Sequence, residues 1–177
     1  LYSVNEMTYN EFLKSKIEIA KDSGFEINPE EINQALKPHQ RDAVVWALRG
    51  GKRALFESFG LGKTIQEIEF CYQATKNKGG KALIVLPLGV KQEFTRDAVE
   101  VLGYEALVYV RTMKEVEAAD GQILLTNYER VRDGDIRPDY FMATALDEAS
   151  VLRSFGSKTY QTFLDKFKNL SLIHISE

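Results

Sequence analysis

The chain has 177 residues, of which 44% are hydrophobic and 28% are charged. This composition predicts one folded domain with a sizeable core, and it excludes a disordered, collagen-like or coiled-coil chain. The formal charge at pH 7 is −3, so no strongly basic stripe marks a nucleic-acid binder, and any nucleic acid would have to bind in a local groove. No apolar run approaches the roughly 20 residues that span a bilayer, so we expect no membrane partner.

Cysteine and histidine are scarce in this sequence. Cys71 has no second cysteine to pair with, and His39 and His174 are the two histidines, so the sequence predicts neither an internal disulfide nor a zinc site. No signal peptide opens the sequence. Together these features favour a reducing, cytoplasmic setting.

The N-terminal 35 residues differ from the rest in charge. They hold seven acidic and three basic residues, a net charge of −4, whereas the remainder is close to neutral. The sequence predicts a first helix over 8–23, which starts at a capping box of Thr8 and Glu11 and ends at Gly24. A polar connector follows over 24–35. We expect residues 1–35 to form a helical lead-in to the main domain.

From residue 38 onwards the predicted elements alternate between helices and strands. A helix begins near Pro38 and ends at Gly50 and Gly51. Short, nearly continuous apolar runs, which are typical of buried parallel strands, occupy residues 54–56, 82–86, 107–110, 123–125 and 141–146. Helical segments occupy residues 63–76, 90–102, 112–119 and 157–168. This alternation predicts an α/β fold with a parallel sheet that helices cover on both faces.

The most informative segment is Gly-Leu-Gly-Lys-Thr at residues 60–64. It follows the strand predicted at 54–56 and opens the helix predicted at 63–76, which is the context of a Walker A phosphate loop. Glycines let backbone N–H groups approach phosphate, Lys63 would contact the β- and γ-phosphates of ATP, and the hydroxyl of Thr64 would bind Mg²⁺. The cofactor-binding residues that we predict here are Phe59, Gly60, Leu61, Gly62, Lys63 and Thr64.

One residue departs from the full Walker A pattern. Glu57 stands where that pattern has its first glycine, and a carboxylate beside phosphate must point away from it. The alternative interpretation of the segment is a glycine-rich turn that binds no nucleotide.

A pair of acids, Asp147 and Glu148, ends the last apolar run. We assign Asp147 to Mg²⁺ and Glu148 to the attacking water, so the predicted catalytic residues are Lys63, Asp147 and Glu148. Adjacent acids are also common at exposed helix starts, and the pair gains its meaning from the phosphate loop that precedes it. A GTPase is disfavoured, because the sequence has no Asn-Lys-x-Asp segment for guanine.

These motifs, in this order, resemble the first RecA-like lobe of a superfamily-two helicase or translocase of the Swi/Snf-like branch. The matching segments are 36–40 with 45–46 (glutamine motif), 60–66 (motif I), 83–87 with 92–94 (motif Ia), 126–129 (motif Ib) and 147–150 (motif II). In this branch the first Walker glycine is often replaced, as it is here by Glu57. Ser150 stands where histidine is more usual. The stretch 151–159 is similar to versions from phages and mobile elements, which implies a bacterial or phage-infected host cell.

The resemblance implies further site residues. Gln40 would read adenine, because a carboxamide can pair with both N6 and N7 of the base; a solvated helix glutamine is the alternative. DNA, duplex or single-stranded, would cross the loops of motifs Ia and Ib, and ordinary solvated charges are the alternative there. The candidate DNA contacts are Lys91, Asn127 and Arg130, with Arg132 and Arg153 behind them.

The resemblance assigns residues 36–169 to the ATP-binding lobe. Residues 170–177 look like the translation of a transposon-type sequencing adapter and are expected to be an assembly artefact; a genuine short C-terminal strand is the alternative. No motif III and no second RecA-like lobe follow, so no arginine from such a lobe can reach the γ-phosphate. We therefore expect the chain to bind ATP with Mg²⁺ but to hydrolyse it very slowly.

Three functions stay open at this point. The first is the ATP-binding lobe of a DNA-dependent ATPase motor that couples hydrolysis to movement on DNA or to its remodelling. The second is another phosphate-loop enzyme, such as a small kinase, although no acceptor pocket or lid is recognisable. The third is a non-catalytic nucleotide-binding or interaction module, against which the intact Lys63, Thr64, Asp147 and Glu148 argue.

Overall fold

The computed structural model describes residues 23–55, 62–168, 170 and 172–176. The helix predicted at 8–23, apart from its last residue, lies outside the described residues. The described helices are α1 (Pro38–Gly50), α2 (Lys63–Lys78), α3 (Lys91–Arg96), α4 (Met113–Ala118), α5 (Tyr128–Arg132) and α6 (Ser157–Asp165). The described strands are β1 (Lys52–Leu55), β2 (Ala82–Leu86), β3 (Val108–Tyr109), β4 (Ile123–Asn127), β5 (Ala143–Leu146) and β6 (Leu172–Ser176).

The strands form one parallel sheet in the order β1-β6-β5-β2-β4-β3. Each apolar run that predicted a strand overlaps an observed strand, with shifts of up to two residues at the ends. Because the strands are parallel, their carboxyl ends meet at one edge of the sheet, where ligands bind in open α/β sheets. The predicted α/β fold is confirmed.

Helices cover both faces of this sheet. Alternate side chains of β2 enter two separate cores, with Ala82, Ile84 and Leu86 in the first and Leu83 and Val85 in the second. The first core also takes residues from α1, α2 and α3, and the second takes residues from α4, α5 and α6. Of the helices just defined, none is long and apolar enough to cross a bilayer.

The helix predicted at 90–102 is not continuous. α3 ends at Arg96, and a wider turn follows over Asp97–Val101, where the N–H of Leu102 donates to the carbonyl of Asp97 at 3.0 Å. Both Ala98 and Leu102 are buried in the first core, so the wider turn keeps the apolar side of this segment on the sheet.

The lead-in is tied to the end of α1 through backbone groups. The N–H groups of Ser23, Gly24 and Phe25 donate to the carbonyls of residues 50, 49 and 48 at 3.3, 3.2 and 3.0 Å. These carbonyls belong to the last turn of a helix and lack partners within it. A Cβ atom on Gly24 would lie 1.6 Å from the carbonyl oxygen of Leu48. Gly24 therefore permits a close backbone approach, a role that its predicted place as a helix stop did not include.

A buried carboxylate fastens two loops to α2. Glu69 is fully buried, and its oxygens accept the backbone N–H of Asn33 at 3.0 Å, the amide of Gln73 at 2.8 Å and the hydroxyl of Tyr104 at 2.5 Å. A buried charge is stable only when hydrogen bonds compensate its lost hydration. Glu69 thus holds the lead-in and the loop before β3 against the helix that begins at Lys63.

The C-terminal segment forms a strand inside the sheet. Residues 172–176 pair in parallel with β1 on one side and with β5 on the other. A strand ladder is made of backbone groups, so this pairing is compatible with either origin of the segment, and its adapter origin stays a prediction.

Candidate nucleotide site and nucleic-acid surface

The predicted phosphate loop is described from Gly62 onwards. Gly62 has φ 75° and ψ 40°, a left-handed conformation, and α2 begins at the next residue. Lys63 and Thr64 therefore lie in the first turn of α2, where free N–H groups and the helix dipole favour an anion. Phe59, Gly60 and Leu61, and also Glu57, lie outside the described residues.

Gln40 lies directly against this helix start. Its side chain is buried, with 4% exposed, and its Oε1 accepts the N–H of Lys37 at 2.8 Å. A Cβ atom on Gly62 would lie 2.4 Å from the Nε2 of Gln40. Gly62 is thus required twice, by its positive φ and by the neighbouring carboxamide. Of the two interpretations of Gln40, the solvated helix residue is wrong, because the side chain is buried beside the phosphate loop.

The acid pair follows β5 in an unusual backbone conformation. The N–H of Asp147 continues the ladder by donating to Val85 at 2.9 Å. Glu148 has φ 51° and ψ 53°, which costs a residue with a Cβ about 1–2 kcal/mol. Strained backbone of this kind is typical of functional sites.

Tyr128 supports the acid pair from within the second core. Its hydroxyl donates to the carbonyl of Asp147 at 2.6 Å. Burial raises the pKa of Tyr128, and the negative charges of Glu67, Asp147 and Glu148 raise it further. Glu67 is fully buried on α2, so acidic charge gathers where α2 faces the end of β5. Such a site favours a cation.

The phosphate-loop helix and the acid pair open at the same edge of the sheet. β6 separates β1 from β5, and its Ile175 is opposite both Ala54 and Leu146. Two strand spacings of about 4.8 Å therefore put the ends of β1 and β5 about 10 Å apart. A hydroxyl from Thr64 and a carboxylate from Asp147 are hard oxygen ligands, which fit Mg²⁺ held jointly with nucleotide phosphates.

The three candidate DNA contacts converge on one side chain. The Nζ of Lys91 lies 4.8 Å from the ring centroid of Tyr109, and the hydroxyl of Tyr109 donates to the Oδ1 of Asn127 at 2.7 Å. Arg130 forms an ion pair with Asp135 at 2.9 Å. The hydrogen bond to Asp135 is the main reason that the pKa of Arg130 is raised, and the proximity of Tyr109 adds to it.

Tyr109 was not among the predicted site residues. The sequence feature that could have pointed to it is its position near the end of the strand predicted at 107–110. The pairing of β3 with β4 turns that placement into a contact. Arg132 instead forms an ion pair with Asp133, in which the nitrogen and oxygen are 2.8 Å apart. Its guanidinium carbon lies 5.0 Å from the ring centroid of Phe155.

Three other residues also have defined places. Trp46 is 46% exposed, with the guanidinium of Arg53 5.2 Å from its ring, so it is a surface residue. Phe25 packs on the first core near Lys78, at the other end of α2 from Gly62. Cys71 is fully buried, and burial raises the pKa of its thiol.

No family model and no curated protein matches this sequence. Among solved structures, the chain is similar to the UvsW helicase from bacteriophage T4, with a TM-score of 0.64 and 16% identity over 97% of this chain and 61% of that one. It is also similar to the SWI2/SNF2 ATPase core of Sulfolobus solfataricus in complex with dsDNA, with a TM-score of 0.62 and 20% identity over 85% of this chain and 33% of that one.

The chain spans less than two thirds of the length of either structure. At these identities the likeness concerns the fold. The order of the strands, the helices on both faces and the match to these two structures agree with one another. The chain has the RecA-like α/β fold of superfamily-two helicase and SWI2/SNF2 ATPase cores.

Proposed function

We propose that this chain is the ATP-binding lobe of a DNA-dependent ATPase motor, a helicase or translocase. The observation that carries the proposal is the meeting of three features at one sheet edge. These are the first turn of α2, the carboxamide of Gln40 against Gly62, and the acid pair after β5. Each has a distinct task with a Mg²⁺-bound nucleotide.

Gln40 and the start of α2 bind the nucleotide in this account. The Nε2 of Gln40 donates to N7 of adenine, and Oε1, which also accepts the N–H of Lys37, accepts from N6. Lys63 neutralises the β- and γ-phosphates, and the N–H groups of Gly60, Leu61 and Gly62 donate to them. The partial positive charge at the start of α2 adds to this attraction.

The acid pair performs the chemistry. Thr64 and Asp147 hold Mg²⁺, which withdraws charge from the phosphate oxygens when it is bound. Glu148 orients a water molecule and takes its proton while the water oxygen bonds to the γ-phosphorus and the bond to the β–γ bridging oxygen breaks. The left-handed backbone conformation of Glu148 sets the direction in which its side chain leaves the backbone.

DNA binds across the carboxyl ends of β3 and β4 in this proposal. Lys91, Asn127 and Arg130 supply one ammonium, one amide and one guanidinium, which suit the sugar–phosphate backbone. We propose that a second RecA-like lobe outside this chain completes the motor and supplies an arginine to the γ-phosphate. The Sulfolobus core of the same fold is in complex with dsDNA, which supports DNA as the partner.

A titration with a fluorescent ATP analogue in Mg²⁺ tests the nucleotide site. Lys63→Ala should abolish saturable, micromolar binding, because it removes the cation at the phosphates. Lys76→Ala, in the last turn of the same helix, should bind like the parent chain. No binding by a folded parent chain, or equal binding by Lys63→Ala, would contradict the proposal.

A further inference from the structure

We propose that Tyr109 is the positioning residue of the nucleic-acid surface, and that it holds Lys91, Asn127 and Arg130 as one array for the phosphates of a DNA strand. This inference rests on the proposed function. It adds Tyr109 to the three candidate contacts and predicts that they bind phosphates and not base edges.

Tyr109 lies among the three side chains. Asn127 ends β4 and Arg130 lies in α5, which begins at the next residue, whereas Lys91 opens α3 and is distant in the sequence. Through-space contact is therefore what joins Lys91 to the other two. The ring of Tyr109 faces the ammonium of Lys91 at 4.8 Å, within the range of a cation–π contact. Its hydroxyl bonds to Asn127.

The hydroxyl of Tyr109 orients the amide of Asn127. A phenol donates one hydrogen bond and accepts others. Here it donates to Oδ1 at 2.7 Å, which turns the Nδ2 group of Asn127 outwards to the exposed Glu129 at 2.6 Å. The guanidinium of Arg130 lies near enough to Tyr109 to interact with it electrostatically. Tyr109 thus orients the amide beside this guanidinium.

The donors of this array point to phosphate and not to base edges. An ammonium, an amide N–H₂ and a guanidinium are all donors, and two of them are cations. Phosphate contacts fix a protein on a nucleic acid without reading its sequence. The carboxylates of Glu129 and Asp135, which now occupy the donors of Asn127 and Arg130, are the groups that a phosphate replaces. Binding should therefore be weak, salt-sensitive and independent of sequence.

The position of the array relative to the nucleotide site is set by the sheet. Asn127 is opposite Leu86 on β2, and β2 is the neighbour of β5. The residue after Asn127 is Tyr128, whose hydroxyl donates to the carbonyl of Asp147. The array and the acid pair thus lie on the same edge of the sheet, joined through two consecutive residues.

Fluorescence anisotropy tests the role of Tyr109 in the full chain. The probes are a short labelled DNA duplex and the labelled single strand of the same sequence. Tyr109→Phe keeps the ring under Lys91 and removes the hydroxyl, so it should weaken binding about three- to tenfold with little change in the salt slope. Tyr109→Leu should weaken it further. Lys91→Ala should lower the slope of log K against log salt by about 0.9, since one phosphate contact is lost.

A double-mutant cycle separates positioning from general stability. Tyr109→Phe and Asn127→Ala should be non-additive, because the hydroxyl acts through Asn127. Tyr104→Phe is the matched control, since it removes a tyrosine hydroxyl bonded to Glu69 in the loop before β3, at the opposite end of that strand. It should bind DNA like the parent chain.

The outcomes distinguish this inference from the proposed function. Parent-like DNA binding by Tyr109→Phe, or additive effects of the two substitutions, overturns the role of Tyr109 and leaves the nucleotide site intact. A parent chain that binds ATP but neither form of DNA overturns both the DNA partner and the array. Loss of binding in Tyr104→Phe to the same degree shows that stability, not positioning, is responsible, and also overturns the inference.

Discussion

The carboxamide nitrogen of Gln40 lies so close to Gly62 that a Cβ atom on residue 62 would be 2.4 Å from it. This contact joins the start of α1 to the start of α2. Gln40 and the first turn of α2 are thereby neighbours, although they lie 22 positions apart in the sequence. A methyl group added at residue 62 would have to displace the end of the Gln40 side chain.

Gly62→Ala should abolish binding of the ATP analogue and destabilise the chain. The positive φ costs alanine about 1–2 kcal/mol, and the methyl group must also displace Gln40. Gly103→Ala is the control, because Gly103 also has a positive φ, of 69°, and no neighbour within 4 Å of its added Cβ. Urea unfolding measures both costs.

The contact with Gln40 predicts the difference between these variants. Gly62→Ala should lose more stability than Gly103→Ala, and adding Gln40→Ala should return part of that excess. Equal losses in the two glycine variants would show that the carboxamide does not press on residue 62.

Glu148 carries backbone strain that a glycine can remove. Glu148→Ala and Glu148→Gly both lack the carboxylate, and only glycine adopts a φ of 51° without steric cost. The glycine variant should therefore be more stable than the alanine variant by about 1 kcal/mol in urea unfolding. Greater stability of the alanine variant would mean that residue 148 is not left-handed in solution.

Asp135→Asn should strengthen DNA binding. Asp135 pairs with Arg130 at 2.9 Å, and both side chains are about 40% exposed, so a phosphate competes with this carboxylate for the guanidinium. We expect a gain of about two- to fivefold in anisotropy titrations, the size of a modest exposed ion pair.

Asp133→Asn controls for the change in net charge. Asp133 pairs with Arg132, which is not in contact with the Tyr109 array, and the substitution removes the same negative charge from a neighbouring position. A similar gain in both variants would point to general electrostatic attraction and would contradict a specific role for Arg130.

The stability contributed by Tyr104 should disappear at alkaline pH. Burial raises the pKa of Tyr104, and its hydrogen bond to Glu69 raises it further. Because the folded-state pKa lies above the unfolded value of about 10, the contribution is fully present below pH 10 and declines as the pH rises towards the folded-state value.

Unfolding of the parent chain and of Tyr104→Phe across this range measures the contribution. The parent should be more stable by about 1–2 kcal/mol below pH 10, from the hydrogen bond to a buried carboxylate, and the difference should shrink above it. A difference that grows with pH would contradict the assigned sign.

The parallel sheet was predictable because its inner strands are buried on both faces. The runs at 82–86, 123–125 and 141–146 are almost entirely apolar, a pattern that a one-sided sheet does not produce. The candidate phosphate loop and the acid pair could be picked out from the sequence because their residue types are needed at short, fixed spacings, and their roles stay predictions. None of these features depends on which strands are neighbours.

The contacts between distant segments were not predictable in the same way. Tyr109 meets Asn127 because β3 pairs with β4, and Gln40 meets Gly62 because α1 packs beside α2. Sequence spacing carries no information about either pairing. The residue type of Trp46 likewise does not reveal that its ring lies exposed at the surface, beside Arg53.

The measurement that tests the account most directly is competition by ATP and GTP for the fluorescent ATP analogue, in the parent chain and in Gln40→Ala. If Gln40 and the first turn of α2 form one adenine-nucleotide site, ATP should compete at least tenfold better than GTP in the parent, and Gln40→Ala should lose this preference while it still binds through Lys63. Equal competition by the two nucleotides in the parent, or an unchanged preference in the variant, would contradict it.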